Sequence, residues 1–176
     1  MKLVDLLTSK RHSIEEGWFD SIVNAYPADG QAFLKNQKDR FNNPMAYEFR
    51  QGIKGIFEAL VHGMERDLLT EHLDRIISIR AVQDLSPSKA VAFVFLLKAA
   101  IRKELPQEIT VRGISEELRE LESQIDGLAL LCFDLYMKRR EKLYQIRANE
   151  AKTRVSGLLR MAGLLSDLEK EPVEIG

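Results

Sequence analysis

Residues 86–104, SPSKAVAFVFLLKAAIRKE, decide the fold class of this chain. Ser86 and Pro87 have the form of a helix start, because serine caps helices and proline fits their first position. The residues that follow are apolar on nearly every side of a helix, which is typical of a helix buried inside a domain. Pro106 ends the segment. We therefore expect residues 88–104 to form a buried central helix.

Helical periodicity extends to both sides of this segment. From Pro44 onward, apolar residues recur at steps of three and four, and Asn43 has the position of a helix cap. The stripe consists of Phe49, Ile53, Ile56, Phe57, Leu60 and Val61. Further helices are expected over residues 3–10, 13–27 and 70–82, with a long C-terminal helix from Ser115. The sequence predicts an all-α protein, a single helical domain of six to seven helices.

The composition fits an ordered helical domain. The chain has 176 residues, of which 45% are hydrophobic and 30% charged, with 26 Lys and Arg against 27 Asp and Glu. These values exclude intrinsic disorder and a globally basic nucleic-acid-binding protein. The single cysteine, Cys132, lies in an apolar run and is expected to be structural. The N-terminus does not have the form of a signal peptide, so we expect a cytoplasmic protein.

The sequence contains no recognisable catalytic or cofactor motif. The three histidines, His12, His62 and His72, are not spaced to bind one metal ion, and no C-x-x-C or H-E-x-x-H motif occurs. One axial histidine would suffice for haem, but we expect none. The segment from Gly52 to Gly55 lies inside an amphipathic helix and is not a phosphate-binding loop. We expect no cofactor, no metal and no enzymatic activity.

Charged residues inside apolar helices are the candidate functional residues. Arg80 and Asp84 are one helical turn apart, close to the next helix start, so they can pair with each other or tie two helices together. Asp126 and Asp134 interrupt the apolar stripe of the C-terminal helix. These residues either clamp helices together or line a ligand pocket.

A basic cluster marks the second half of the C-terminal helix. Its members are Lys138, Arg139, Arg140, Lys142, Arg147, Lys152, Arg154 and Arg160. Three interpretations stay open: a solvated helix face, a protein-docking surface, or a nucleic-acid contact, for which the net charge of only -1 is unfavourable.

The C-terminal helix changes its apolar register near residue 139. The first register, from Leu118 to Leu135, is expected to pack in the core. The second register, called the seam, consists of Ala148, Ala151, Val155, Leu158, Ala162 and Leu165. The seam predicts a homodimer, with folding back onto the same domain as the alternative. We accordingly expect a sensor-like domain over 1–147, a helical extension over 148–168 and an acidic tail over 169–176.

The run from Arg75 to Lys98, RIISIRAVQDLSPSKAVAFVFLLK, resembles the RsbRD N-terminal domain family of bacterial signalling modules. The likeness extends over most of residues 12–155. It implies a globin-like arrangement without haem, a role in stress signalling and no catalytic residues. The residues singled out by the family motif and by the clamp argument are Arg80, Gln83, Asp84, Ser86, Pro87, Asp134 and Arg140.

Two functional hypotheses follow. The first is a non-enzymatic sensor module that binds a small apolar ligand or a regulatory protein and signals through protein–protein interaction. Because only a short segment follows residue 155, a stand-alone input module is expected. The alternative is an accessory or assembly subunit of a larger enzyme complex. Membrane insertion and nucleic-acid binding are not expected.

Overall fold

The computed structural model describes residues 2–36, 41–63, 65–83, 85–110 and 112–163. Over these ranges the chain forms eight α-helices and no strand, which confirms the all-α class and the long C-terminal helix. The helices are α1 (Leu3–Ser9), α2 (Arg11–Asn24), α3 (Ala28–Asn36), α4 (Pro44–His62), α5 (Arg66–Val82), α6 (Pro87–Val91), α7 (Phe93–Glu104) and α8 (Arg112–Met161). A 3-10 turn, Glu108–Thr110, precedes α8.

The chain divides into two compact units, of which the first ends at Arg139 and the second begins at Arg140. The first unit contains α1 to α7 and the first part of α8, and the second contains the remainder of α8. The functional boundary between residues 147 and 148 stays a prediction. The expected acidic tail lies outside the described residues.

The predicted apolar stripes form the core of the first unit. Helix α4 packs against α5, and α2 packs against α7. In the α4 stripe all residues are buried except Leu60, which is partly buried. Leu73, Ile76 and Ile77 of α5 and Cys132 of α8 are buried as well. Full burial of one such side chain contributes about 1.5–3 kcal/mol, so these stripes account for much of the stability of this unit.

Helix α3 lies in a stretch to which the sequence pattern assigned no helix. Leu34 is buried against the core, and the Asn43 side chain donates from Nδ2 to the Phe33 carbonyl at 2.6 Å. The same side chain accepts the Ala46 N–H through Oδ1 at 3.0 Å, as the predicted helix cap requires. A single buried leucine and a hydrogen bond to one backbone carbonyl produce no apolar periodicity in the sequence. The pattern therefore did not reveal α3.

The predicted central helix over 88–104 is interrupted at Ala92, which separates α6 from α7. The prediction of burial on all sides is also wrong in part, because Phe95 is 46% exposed. Pro87 begins α6 as predicted, but the Ser86 hydroxyl makes no capping bond to its backbone. Helix α8 begins at Arg112, earlier than the expected start at Ser115.

Two glycines allow α4 to approach α5 closely. A Cβ atom on Gly52 would lie 2.7 Å from Ile76 Cγ1 and 3.0 Å from the His72 carbonyl oxygen, and one on Gly55 would overlap the His72 ring. We expect Gly52→Ala to lower the free energy of unfolding by about 1–3 kcal/mol, because the backbone oxygen cannot yield without moving α5.

Gly17 in α2 supplies the control, because a Cβ atom there meets nothing within 4 Å. Gly17→Ala should raise the free energy of unfolding by about 0.5–1 kcal/mol through helix propensity alone. Urea denaturation followed by circular dichroism measures both variants. Stabilisation by both would show that α4 and α5 are not in close contact at Gly52.

Candidate functional site

The side chain of Arg80, in the last turn of α5, binds backbone carbonyl groups of α6. The guanidinium donates from Nε to the Ala90 carbonyl and from Nη2 to the Lys89 carbonyl, both at 2.8 Å. Nη1 donates to the Tyr26 hydroxyl at 3.1 Å. Carbonyl groups in the last turn of a helix lack N–H donors within that helix, so the planar guanidinium donates to two of them together. Arg80 thereby fixes α6 to the end of α5.

Arg80 is only 5% exposed, and the described groups around its charge are dipoles and aromatic rings. Among the described residues, no carboxylate lies within ion-pair distance of the guanidinium. Its Cζ atom lies 5.6 Å from the Tyr26 ring centroid and 5.7 Å from that of Phe93. Burial lowers the pKa of Arg80, and the Tyr26 hydroxyl partly opposes this effect. An arginine nevertheless keeps its proton in a protein, so the group is a buried cation.

Tyr26 connects Arg80 to a second predicted site residue, Gln83. The Tyr26 hydroxyl donates to Gln83 Oε1 at 2.8 Å, and Gln83 Nε2 lies 3.5 Å from the Met45 sulfur. Burial raises the pKa of Tyr26, so the hydroxyl stays a neutral donor near pH 7. Asp84, the predicted ion partner of Arg80, lies outside the described residues.

Two further side chains hold the backbone around α6. Trp18 of α2 donates from Nε1 to the Phe93 carbonyl at 2.7 Å, and its ring stacks on the Phe93 ring at 6.3 Å between centroids. Tyr136 of α8 donates to the Leu85 carbonyl at 2.7 Å. Tyr136 therefore holds the chain before α6, Arg80 holds it at the end of α6, and Trp18 holds it after the Ala92 interruption. We call these three side chains and their carbonyl partners the α6 junction.

An apolar groove of about 610 Å³ also borders α6. It is lined by Pro87, Ser88, Val91, Ala92, Phe95, Ala129, Leu130 and Phe133. Leu130 is 73% exposed and Phe133 is 45% exposed, although both are large and apolar. We call this surface the α6 groove. Because Pro87, Ser88 and Val91 belong to α6 itself, any occupant of the groove would contact the helix that Arg80 holds.

The remaining predicted site residues are not part of the α6 junction. Asp134 is exposed on α8, and no hydrogen bond or ion pair joins it to another described residue. Arg140 lies in the second unit, where Nη2 donates to the Tyr144 hydroxyl at 2.8 Å. Asp126 pairs with Lys98, with Oδ1 2.6 Å from Nζ. Four of the predicted site residues thus lie at the end of α5 and the start of α6, namely Arg80, Gln83, Ser86 and Pro87. Within this group the Ser86 Oγ atom lies 3.3 Å from the Ser88 Oγ atom.

The seam residues of the second unit are exposed along α8. Val155 is 53% exposed and Leu158 is 56% exposed, and Ala151 is exposed too. Ala162 is also exposed and lies in the turn that follows the end of α8 at Met161. Leu165 lies outside the described residues.

The described part of the chain presents neither a metal site nor a membrane span. No group of three or more His, Cys, Asp or Glu side chains there is arranged to hold a metal ion. None of the described helices combines the length and hydrophobicity of a membrane span. Burial raises the pKa of Cys132 to about 12, so its thiol is neutral at pH 7 and a weak nucleophile.

Comparison with known proteins gives one match. The sequence profile of the family described as RsbT co-antagonist protein rsbRD N-terminal domain matches residues 12–151. This match confirms the resemblance read from the run between Arg75 and Lys98. No curated protein and no solved structure matches the chain.

Proposed function

Because this chain belongs to the RsbT co-antagonist protein rsbRD N-terminal domain family, we propose that it is a non-enzymatic sensor module that acts through protein–protein contacts. The family consists of regulatory signalling domains. A stressosome-type input role is the broad function that this membership supports. We also propose a cytoplasmic location for this protein.

The position of α6 is the observation that carries the proposal. This helix of five residues contributes to the α6 groove, and the carbonyls of its last turn are held by Arg80. A short helix makes few backbone bonds of its own, so its position depends on these tertiary contacts. An occupant of the groove would therefore shift α6, and this shift would alter its hydrogen bonds to α5 and the bond from Trp18 to the start of α7. Such coupling requires that the occupant bind the two positions of α6 with different affinity.

The lining of the groove favours an apolar occupant. Its volume lies within the range of about 300–1,000 Å³ that is usual for small-molecule sites, and most of its lining side chains are apolar. A small apolar molecule, or an apolar side chain of a regulatory protein, would bury Phe95, Leu130 and Phe133. We propose that this burial is the input signal.

Trp18 makes the proposal testable, because it is the only tryptophan of the chain and belongs to the α6 junction. Titration with n-decanol, an apolar probe without absorbance in the tryptophan range, should change the Trp18 emission spectrum. Leu130→Asp places a charge in the groove and should weaken this response by at least about tenfold, the cost of leaving a carboxylate against an apolar ligand.

Leu68→Asp is the matched control, because Leu68 is an exposed leucine of α5 that does not line the groove. It should leave the n-decanol response unchanged. Two results would contradict a sensory role for the groove. The first is n-decanol binding that leaves the Trp18 emission spectrum unchanged, and the second is a response that Leu130→Asp does not weaken. Either result would favour the accessory-subunit alternative, in which the domain is a constant structural adaptor.

A further inference from the structure

The second unit exposes an apolar helix face with basic residues along both edges. Ala148, Ala151, Val155 and Leu158 recur at steps of three and four along α8, and Tyr144 precedes them at the same spacing. All five side chains are exposed. Residues at this spacing lie on one side of a helix, so they form a continuous stripe.

The edges of this stripe are basic. Arg147 and Arg154 lie along one edge, seven positions apart, and Lys152 lies along the other. In a paired helix these are the flanking positions whose charges select the partner. The seam therefore displays positive charge on both sides of its apolar residues.

Glu150 is the one acidic residue three or four positions from Arg147 and Arg154, and no acidic residue lies three or four positions from Lys152. No described carboxylate lies within ion-pair distance of Arg147, Lys152 or Arg154, and all three are exposed. The first unit differs, since many of its basic residues are paired. Examples are Arg75 with Glu48, Arg102 with Glu122 and Arg139 with Asp74. Three basic residues against one acidic residue leave the edges of the seam with net positive charge, which an acidic partner would complement.

Pairing of the seam with its own copy would bring like charges together. In a parallel pair, Arg147 of one helix approaches Lys152 of the other. In an antiparallel pair, each edge faces its own counterpart, so arginine faces arginine. Both arrangements are repulsive, whereas acidic residues at the same positions would be attracted.

We propose that the seam binds an amphipathic helix of a partner protein in which Glu or Asp residues border the apolar stripe. Ala148 and Ala151 are small, so the partner helix can approach closely and place large aliphatic side chains opposite them. Nucleic acid matches the basic edges but leaves the exposed Val155 and Leu158 in water. The predicted homodimer and nucleic-acid binding are the competing outcomes.

Two synthetic helical peptides test this proposal with the full chain. Both carry the same leucine and alanine stripe, and they differ only in having Glu or Lys at the flanking positions. Fluorescence anisotropy should show that the Glu peptide binds at least about tenfold more tightly than the Lys peptide, because its charge pairs with the seam are attractive and those of the Lys peptide are repulsive. Leu158→Glu should abolish binding, and circular dichroism should show that the helix content is retained.

Arg147→Glu and Lys142→Glu form a matched pair of variants, because both reverse one exposed positive charge of α8. Arg147 borders the stripe, and Lys142 lies on the opposite side of the helix. Arg147→Glu should weaken binding of the Glu peptide by about fivefold, and Lys142→Glu by less than about twofold.

Three results would overturn the proposal. The first is equal affinity for the two peptides. The second is a homodimer, seen by light scattering, that Leu158→Glu dissociates and the Glu peptide does not. The third is binding of duplex DNA that displaces the Glu peptide and survives Leu158→Glu. None of these measurements depends on the α6 groove. The seam proposal can therefore fail while the n-decanol titration supports the proposed function, and the reverse.

Discussion

Replacing Trp18 with alanine is expected to lower the free energy of unfolding by about 3–5 kcal/mol, the usual cost of removing a large core aromatic side chain. The Trp18 side chain is fully buried, stacks on Phe93 and donates to the Phe93 carbonyl at 2.7 Å. The substitution removes the packing between α2 and α7 and leaves a cavity. Guanidinium denaturation followed by circular dichroism measures the loss, because the variant has no tryptophan to report by fluorescence.

Trp18→Phe separates packing from hydrogen bonding. Phenylalanine can keep the stacked ring but has no N–H group to offer the carbonyl. We expect a loss of about 1–2 kcal/mol, well below that of alanine. A loss of less than about 1 kcal/mol in Trp18→Ala would mean that α2 and α7 do not pack through this residue.

The position of Trp18 in the core could be predicted from the sequence, but its hydrogen bond could not. Periodicity places Trp18 on the same helix face as Ile14 and Ile22, and all three are buried. Its acceptor is a backbone carbonyl distant in sequence. Since every residue has a carbonyl group, no residue type marks the one that will be used. The same reason explains why the contact from Tyr136 to Leu85 was not predicted.

Part of the α6 groove could be recognised from the sequence, by apolar residues of α8 that fall outside its core register. The first apolar register of α8, from Leu118 to Leu135, predicts the core side of that helix, and its members are buried or partly buried. Leu130 and Phe133 are large apolar residues that fall outside this register, and both are exposed. Apolar side chains off the core register therefore indicated a second apolar surface. The sequence could not show that α6 forms its other wall, because the interruption at Ala92 has no glycine or proline to mark it.

Arg80 shows what inference from charge can and cannot give. Its position in the sequence suggested either a pair with Asp84 or a tie between two helices. The pair stays a prediction, because Asp84 lies outside the described residues, and the described partners of Arg80 are two carbonyls and a tyrosine hydroxyl. Oppositely charged residues can be recognised in a sequence by their spacing. The carbonyl groups of a helix become free to accept a side-chain donor only where the helix ends, and the interruption at Ala92 that ends α6 could not be predicted. A tie between two helices at Arg80 could be proposed from the sequence, but its three acceptors could not.

Replacing Arg80 with alanine is expected to lower the free energy of unfolding by about 3–5 kcal/mol, comparable to breaking a buried charged pair. Two carbonyls of α6 and the Tyr26 hydroxyl lose a charged donor in a buried setting. Each group that is left without a partner costs about 1–3 kcal/mol. Domains are typically stable by about 5–15 kcal/mol, so the variant should remain folded and its denaturation midpoint measurable.

Arg75→Ala is the matched control in the same helix. Arg75 is exposed and pairs with Glu48 at 2.6 Å. A solvent-exposed pair contributes about 0–1 kcal/mol, so this variant should be nearly as stable as the natural protein. Equal losses in Arg80→Ala and Arg75→Ala would contradict the α6 junction.

Arg80→Lys distinguishes a structural anchor from a signalling contact. Lysine keeps the positive charge but lacks the rigid fork that reaches both carbonyls of α6. We expect a stability between those of Arg80→Ala and the natural protein, together with a weakened Trp18 emission response to n-decanol. The affinity for the probe should change little, because Arg80 does not line the groove. If the emission response survives in Arg80→Lys with its full amplitude, α6 does not transmit its position through Arg80, and the residue is only an anchor.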